Sequence, residues 1–195
     1  MTRIIGGVAG SLSISTPSST TRPTSDRVRE AWFSILESRS LIEGAHVLDL
    51  FAGSGALGLE AASRGASSVE FVESHAPAAR VIRTNIESLR KALSPATSLT
   101  VVTSPVASYL QTTATTLCDL AFLDPPYDLE TTTIDTLLGA LLPRMAEDGL
   151  VMLERSSRSQ PPSWPREFIA EKPRKYGETT LYFATVSSNG SQPPR

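Results

Sequence analysis

The chain lacks most of what marks a secreted, membrane-spanning or metal-clustered protein. It has a single cysteine, Cys118, so no internal disulfide can form and no thiolate cluster can be built. Beside the apolar run Leu120–Leu123, that thiol reads as buried filler. His46 and His75 have no partner at the spacing of a metal site or a catalytic triad, so no metal is expected. No apolar run reaches the roughly 20 residues of a membrane span, and the N-terminus has no signal-peptide core. These absences point to a cytoplasmic protein with no membrane partner. There is little net charge either: −2 overall, unevenly spread. Residues 1–40 hold five basic and three acidic groups, residues 41–150 six and thirteen, and residues 151–195 seven and four. Basic ends around an acidic middle admit a polyanionic partner that a uniformly acidic surface would exclude.

What is present begins with one stretch, Val47-Leu48-Asp49-Leu50-Phe51-Ala52-Gly53-Ser54-Gly55-Ala56-Leu57-Gly58. An apolar run that reads as a buried strand ends in a glycine-rich turn and passes straight into a helix. Gly53 and Gly55 let the backbone take positive φ and approach a ligand closely. The helix behind them aims free N–H groups at whatever sits there. The spacing fits G-x-G-x-x-G, with Glu73 about twenty residues on, so a dinucleotide is one reading. Asp49 favours another. A carboxylate four residues before the first glycine would repel a pyrophosphate and attract a sulfonium cation with its ammonium. D-x-F-x-G-x-G thus resembles the cofactor loop of S-adenosylmethionine-dependent methyltransferases.

Around this stretch the pattern alternates. Strands are expected at 45–50, 68–73, 99–102, 119–123 and 149–154, and helices at 56–64, 77–93 and 131–146, which together imply a parallel sheet covered on both faces. Upstream, residues 4–14 read as two short strands turning at glycines, 15–21 as a flexible connector, and Arg22 to Leu36 as a helix capped by Thr24, Ser25 or Asp26. Val28, Ala31, Trp32, Ile35 and Leu36 form its apolar stripe, while Arg22, Arg27 and Arg29 offer phosphate contacts or a solvated face. Downstream, Phe168–Lys172 and Thr179–Val186 read as a closing antiparallel hairpin, and Ser187–Arg195 as a disordered tail. One domain is expected from the length.

A second constellation closes the strand at 119–123: Asp124-Pro125-Pro126-Tyr127. Two prolines fix φ and remove two N–H donors, so the strand stops and a rigid peptide projects from the carboxyl edge of the sheet. The Asp124 carboxylate and the Pro125 carbonyl can accept both hydrogens of an exocyclic amino group and turn its lone pair outward. They also stabilise the positive charge that develops on nitrogen, an effect of about a few kcal/mol per well-placed group. Tyr127 offers a ring for an extruded base, worth about 1–3 kcal/mol.

Taken together, Arg22-Pro23-Thr24-Ser25-Asp26-Arg27-Val28-Arg29-Glu30-Ala31, Asp49 to Gly58, Asp124 to Tyr127 and Tyr176-Gly177-Glu178-Thr179 resemble the RsmD family, bacterial 16S ribosomal RNA guanine-N2 methyltransferases. The resemblance runs from about residue 3 to 183. It implies a Rossmann-like class I S-adenosylmethionine-dependent α/β fold, with a seven-stranded, mostly parallel sheet whose last strand is antiparallel. An N-terminal β-hairpin extension helps hold RNA. The implied division is extension and linker at 1–21, methyltransferase domain at 22–186 and tail at 187–195. Asp49, Gly53 and Gly55, with Phe51 and Ser54 in the same loop, are placed against the methionine part of the cofactor and Glu73 against its ribose hydroxyls. Asp124, which also borders the cofactor, Pro125 and Tyr127 are placed against the guanine amino group.

Two features depart from the family pattern. The third strand ends Thr103-Ser104-Pro105 where the family has an acid for the adenine amino group, leaving Ser104 or backbone for that contact. Residues 4–14 carry no Lys or Arg, so phosphate contacts fall to Arg3, Arg22, Arg27, Arg29, Lys172, Arg174 and Lys175. The resulting expectation is a monomer acting on 16S rRNA in an assembling small ribosomal subunit. The alternatives are a DNA adenine-N6 methyltransferase, a protein-glutamine methyltransferase, a non-catalytic RNA-binding assembly factor and a nicotinamide-dependent oxidoreductase. The chain has no evident domain for reading a DNA sequence, and the glutamine motif would be Asn-Pro-Pro-Tyr.

Overall fold

The computed structural model describes residues 1–17, 26–113 and 116–187. Strand β1 (Thr2–Arg3) pairs antiparallel with β2 (Ser13–Ile14) in a small separate sheet, and helix α1 (Asp26–Ser38) follows. Then come β3 (His46–Leu50), α2 (Ala56–Ser63), β4 (Ser68–Glu73), α3 (Ala76–Leu89), β5 (Ser98–Thr103), α4 (Val106–Leu110) and β6 (Cys118–Leu123). Helix α5 (Thr131–Leu141) runs into a 3-10 turn at Leu142–Arg144 and into β7 (Met145–Ser156). Strands β8 (Phe168–Ala170), β9 (Arg174–Tyr176) and β10 (Thr179–Val186) close the chain.

The main sheet has the order β5-β4-β3-β6-β7-β10-β8, with β9 as an eighth short strand on β10. The five strands from β5 to β7 run parallel, and β10 is antiparallel to β7, β8 and β9. The chain leaves β3 toward β4 and β5, then returns to lay β6 on the other side of β3. That reversal is the topological switch point, where α/β sheets open a crevice at strand carboxyl ends. Asp49 and Asp124 sit on the two strands that flank it.

Side-chain alternation divides the core. Val47, Phe71, Leu120, Phe122, Met152, Leu181 and Phe183 face α1, α2, α3 and the N-terminal segment. Leu48, Leu50, Val72, Ala121, Leu123, Val151, Leu153 and Tyr182 face α4 and α5. Strands buried on both faces explain the near-continuous apolar runs in the sequence. Helix α1 seats Trp32 and Phe33 edge-on to Phe122 at 5.3 and 6.0 Å between centroids.

The structure corrects several expected boundaries. The long helix expected at 131–146 stops at Leu141, because Pro143 cannot continue it, and β7 starts at Met145 rather than 149. The helix expected at 77–93 spans Ala76–Leu89. Five-residue α4 had no periodic signal long enough to read. The closing hairpin is built by β9 and β10 around Gly177 (φ 61), with β8 a separate three-residue strand. The N-terminal strands lie at 2–3 and 13–14, outside the glycines expected to turn them. Those glycines instead shape a loop clamped to α2: Glu60 accepts from the N–H groups of Ile5 (2.7 Å) and Gly6 (2.8 Å), and Ser63 Oγ accepts from Ala9 (2.9 Å). Cys118 is buried, its Sγ–H donating to the Arg144 carbonyl at 3.2 Å, and burial pushes its pKa up to about 12.

Candidate active site

The glycine turn leaves β3 with Phe51 in the left-handed region (φ 61), followed by Gly53 (φ 57) and Gly55 (φ 77). A bulky residue there is strained by about 1–3 kcal/mol and persists only where its surroundings fix it. They do so here: Ala52 N–H donates to Val72 O (3.1 Å), Gly53 N–H to Glu73 Oε2 (2.8 Å), and Gly55 N–H to Ala52 O (2.6 Å). From below, Asn85 of α3 holds the Ser54 carbonyl (2.9 Å) while bonding both backbone groups of Ser15 (2.8 and 2.9 Å). A Cβ placed on Gly53 would meet nothing nearer than the Phe51 carbonyl at 3.9 Å, so the loop presents bare backbone to open space. Gly58 is needed for a different reason. Its added Cβ would lie 2.3 Å from Phe71, 2.7 Å from Val69 and 2.9 Å from Asp49 Oδ2. Helix α2 can lie against the sheet only because nothing is there.

Asp49 stands differently from the sequence expectation of a carboxylate lining the crevice. It is 1% exposed, beneath the loop, with Oδ2 accepting from Gly58 N–H at 2.9 Å. Burial, countered in part by that hydrogen bond and reinforced by Asp124 and Glu73, raises its pKa to about 7. Glu73 ends β4, its two oxygens taken by Gly53 N–H and His75 N–H (2.7 Å). A carboxylate has about four acceptor positions, so two such bonds leave it able to accept from a diol. Ser104 ends β5, its N–H on the Glu73 carbonyl (3.1 Å) and its hydroxyl donating to the Pro105 carbonyl (3.2 Å), which leaves oxygen lone pairs.

Across the switch point, Leu123 pairs with Leu50, so Asp124 emerges level with Phe51. Asp124 is partly exposed, Pro125 buried, Pro126 exposed, and the Tyr127 ring 50% exposed. The loop beyond is fixed by Arg155 of β7, whose Nη2 donates to the Leu129 carbonyl at 2.6 Å. The same strand carries Glu154, opposite Leu181 of β10 and 2% exposed. Burial and the neighbouring Asp124 raise its pKa to about 8. Asp49, Glu73, Asp124 and Glu154 therefore sit at or near the carboxyl ends of four adjacent strands, on the face that α1 and α2 cover. Sequence reading missed Glu154, Arg155, Asn85 and Glu60. None lies in a motif, and only an acid or Arg inside an apolar strand, as in Val151-Met152-Leu153-Glu154-Arg155, signals such a group.

The cations divide. Arg29, expected to touch RNA, is 0% exposed, its Nη2 on Thr2 Oγ1, the Arg3 carbonyl and Asp26 Oδ1. It joins α1 to β1 instead. Arg22 lies outside the described residues, as do the caps Thr24 and Ser25. Arg3, Arg27, Lys172, Arg174 and Lys175 are exposed. Arg174 and Lys175 lie on β9, paired with the end of β10 that flanks Glu154. Among the described residues no group of three or more His, Cys, Asp or Glu could hold a metal ion, and no helix is long and apolar enough to cross a membrane.

The profile of the family described as conserved hypothetical protein 95 matches residues 2–185. The chain is 39% identical over 126 residues to the Escherichia coli (strain K12) protein "Ribosomal RNA small subunit methyltransferase D", an alignment covering 64% of this chain and 60% of that one. It is 29% identical over 178 residues to "Putative rRNA methyltransferase YlbH" of Bacillus subtilis, covering 91% of this chain and 95% of that one. Among solved structures, "Putative methyltransferase yhhF from Escherichia coli" superposes with a TM-score of 0.83 at 28% identity, covering 95% of this chain and 98% of that one.

Proposed function

Because the chain belongs to the conserved hypothetical protein 95 family, we propose that it is an S-adenosylmethionine-dependent methyltransferase acting on the N2 amino group of a guanine in 16S rRNA of the small ribosomal subunit. One observation carries the reading. Neighbouring strands across the switch point bear a bare glycine loop and a proline-stiffened acid, with Glu73 at the end of the adjoining strand holding the loop. Such a site disfavours a pyrophosphate and favours a cationic methyl donor.

The residues present fit that donor. Backbone at Gly53 leaves room for its methionine part, and Glu73 can accept from its ribose hydroxyls. Bound there, S-adenosylmethionine supplies an electrophilic methyl group on positively charged sulfur. The chain's own residues prepare the acceptor. Asp124 Oδ accepts one N2 hydrogen and the Pro125 carbonyl the other, which turns the nitrogen lone pair away from the base ring. Tyr127 holds the base by stacking. As nitrogen gains the methyl group it loses a proton, for which the Asp124 carboxylate is the adjacent acceptor.

The test is transfer of tritiated methyl from S-adenosylmethionine to small-subunit particles unmodified at this site, followed by nucleoside analysis. The wild-type protein is expected to label N2-methylguanosine. Asp124→Asn should lower transfer at least a hundredfold while cofactor affinity, by calorimetry, stays within threefold. Absence of cofactor binding at millimolar ligand, or label in N6-methyladenosine instead, would overturn the reading.

A further inference from the structure

Glu154 is the one acid of this crevice with no part in the chemistry just described. It projects from β7 on the face shared by Met152, Leu150 and, across β6, Phe122. Its Oε1 accepts from Thr179 Oγ1 at 3.4 Å, and its Oε2 is buried with no hydrogen-bond partner. Buried polar atoms are almost always paired, and an orphan beside a reacting centre asks for a reason. On β10 the facing residues, Leu181 and Thr179, are uncharged. On α1 the buried cation Arg29 is committed to Thr2, Arg3 and Asp26, and Arg155 turns to the opposite face to hold Leu129. Glu178 in the following turn is exposed and paired with Arg158. Leu153 of β7 pairs with Leu123 of β6, so Asp124 emerges level with Glu154 on the neighbouring strand, and its charge acts on Glu154.

We infer that Glu154 is a positioning residue for Asp124, meeting it as a neutral acid that donates a hydrogen bond rather than as a second acceptor. The orphaned oxygen is where such a donor would act: Oε1 has Thr179 Oγ1 at 3.4 Å, and Oε2 lacks a partner, so the acid hydrogen is assigned to Oε2. Two adjacent carboxylates cannot both ionise without mutual cost, and the more buried one keeps the proton. Its upward shift to about 8 agrees in direction. A donor at this place leaves Asp124 ionised and fixes its rotation, with one oxygen toward the incoming amino group. The inference rests on the reading of Asp124 as the amino-group acceptor.

The test compares Glu154→Gln, which keeps a donor and cannot ionise, with Glu154→Leu, which has none. With the wild type, kcat for methyl transfer should fall as pH rises through about 8, as Glu154 ionises and its donor is lost. Glu154→Gln should keep kcat within threefold at pH 7 and lack that fall. Glu154→Leu should lose at least tenfold in kcat with cofactor KM unchanged. Equal losses in both variants, or none in Glu154→Leu, would overturn the proposal. An independent measurement covers the case in which the wild type transfers no methyl group to rRNA. Carboxyl 13C NMR, with Glu154 assigned from the Gln variant, should show Glu154 protonated at pH 6.5 and its titration displaced downward in Asp124→Asn. An ionised Glu154 at pH 6.5 would sink the inference whatever the substrate.

Discussion

Asp49 and Gly58 form a matched pair, nine residues apart in sequence and in contact in space. With Phe71 and Val69, the carboxylate fills the volume that a Cβ at 58 would need, and it takes the N–H that the absent side chain leaves accessible. The third glycine of the motif is thus fixed by a close approach of helix to strand, the role assigned to it in dinucleotide folds. The arrangement costs stability at neutral pH. Asp49 holds its proton to about pH 7 in the fold against 3.8 in an unfolded chain. A folded pKa raised above the unfolded one gives stability that is complete below the unfolded value and lost as pH rises through the folded value. The ligand-free protein should therefore become less stable between about pH 4 and 7, by an amount on the order of a few kcal/mol. Asp49→Asn keeps an acceptor for Gly58 and removes the titration, so its denaturant midpoint should fall less over the same range. A residual slope from Glu154, shifted in the same direction, should persist toward pH 8. A wild-type midpoint that is flat or rising across this window would show Asp49 ionised throughout.

At the level of elements, the N-terminal segment is held to α2 by one buried acid. Both oxygens of Glu60, itself 0% exposed, are occupied by backbone N–H groups at 5 and 6, with Arg64 completing the cage. Glu60→Ala leaves those donors and the Arg64 guanidinium without their acceptor, a loss of about 3–5 kcal/mol for a broken buried ion pair. Limited proteolysis should then cut within residues 1–17 at protease levels that leave the wild type intact, while the main sheet stays protected. Unchanged protection would mean that Ile4, Ala9 and Ile14, all buried, hold the segment by packing alone. This clamp shows where sequence reading stops. The strands and helices around Asp49, Glu73 and Asp124 were legible because each repeats its apolar period for five or more residues, and β3 and β6 run into glycine and proline. The two-residue strands β1 and β2 have no period to read, and α2, apolar almost throughout, gives no hint that Glu60 faces inward. Arg29 misled for a related reason. A cation among cations reads as a phosphate contact until the fold shows its guanidinium bonded to β1. Asp49 was found by position and its burial was not, because burial depends on the helix laid over it.

Across the whole molecule, the acidic middle of the chain contributes the crevice and the basic ends contribute its rim. With Arg29 buried, the exposed cations at the carboxyl edge near Glu154 include Arg174 and Lys175 of β9, while Arg158 beyond β7 is paired with Glu178; Arg174 also places its guanidinium over Phe183 at 5.9 Å. Charges so few, beside the acids of the crevice, give weak attraction for free RNA with a correspondingly small salt dependence. Each phosphate neutralised contributes about 0.7 to the slope of log affinity against log salt for single strands. Arg174→Ala combined with Lys175→Ala should therefore reduce that slope by about 1.4. The loss of affinity for an rRNA fragment should be larger at about 50 mM than at about 200 mM salt, measured by fluorescence anisotropy. Arg166→Ala serves as the control. It is exposed, paired with Glu167 and adjacent to β8, which joins β10 at the end away from Glu154. Its removal should leave the slope unchanged. Should the control and the double variant shift the slope alike, the rim would act only through net charge, and the RNA path would not pass over β9.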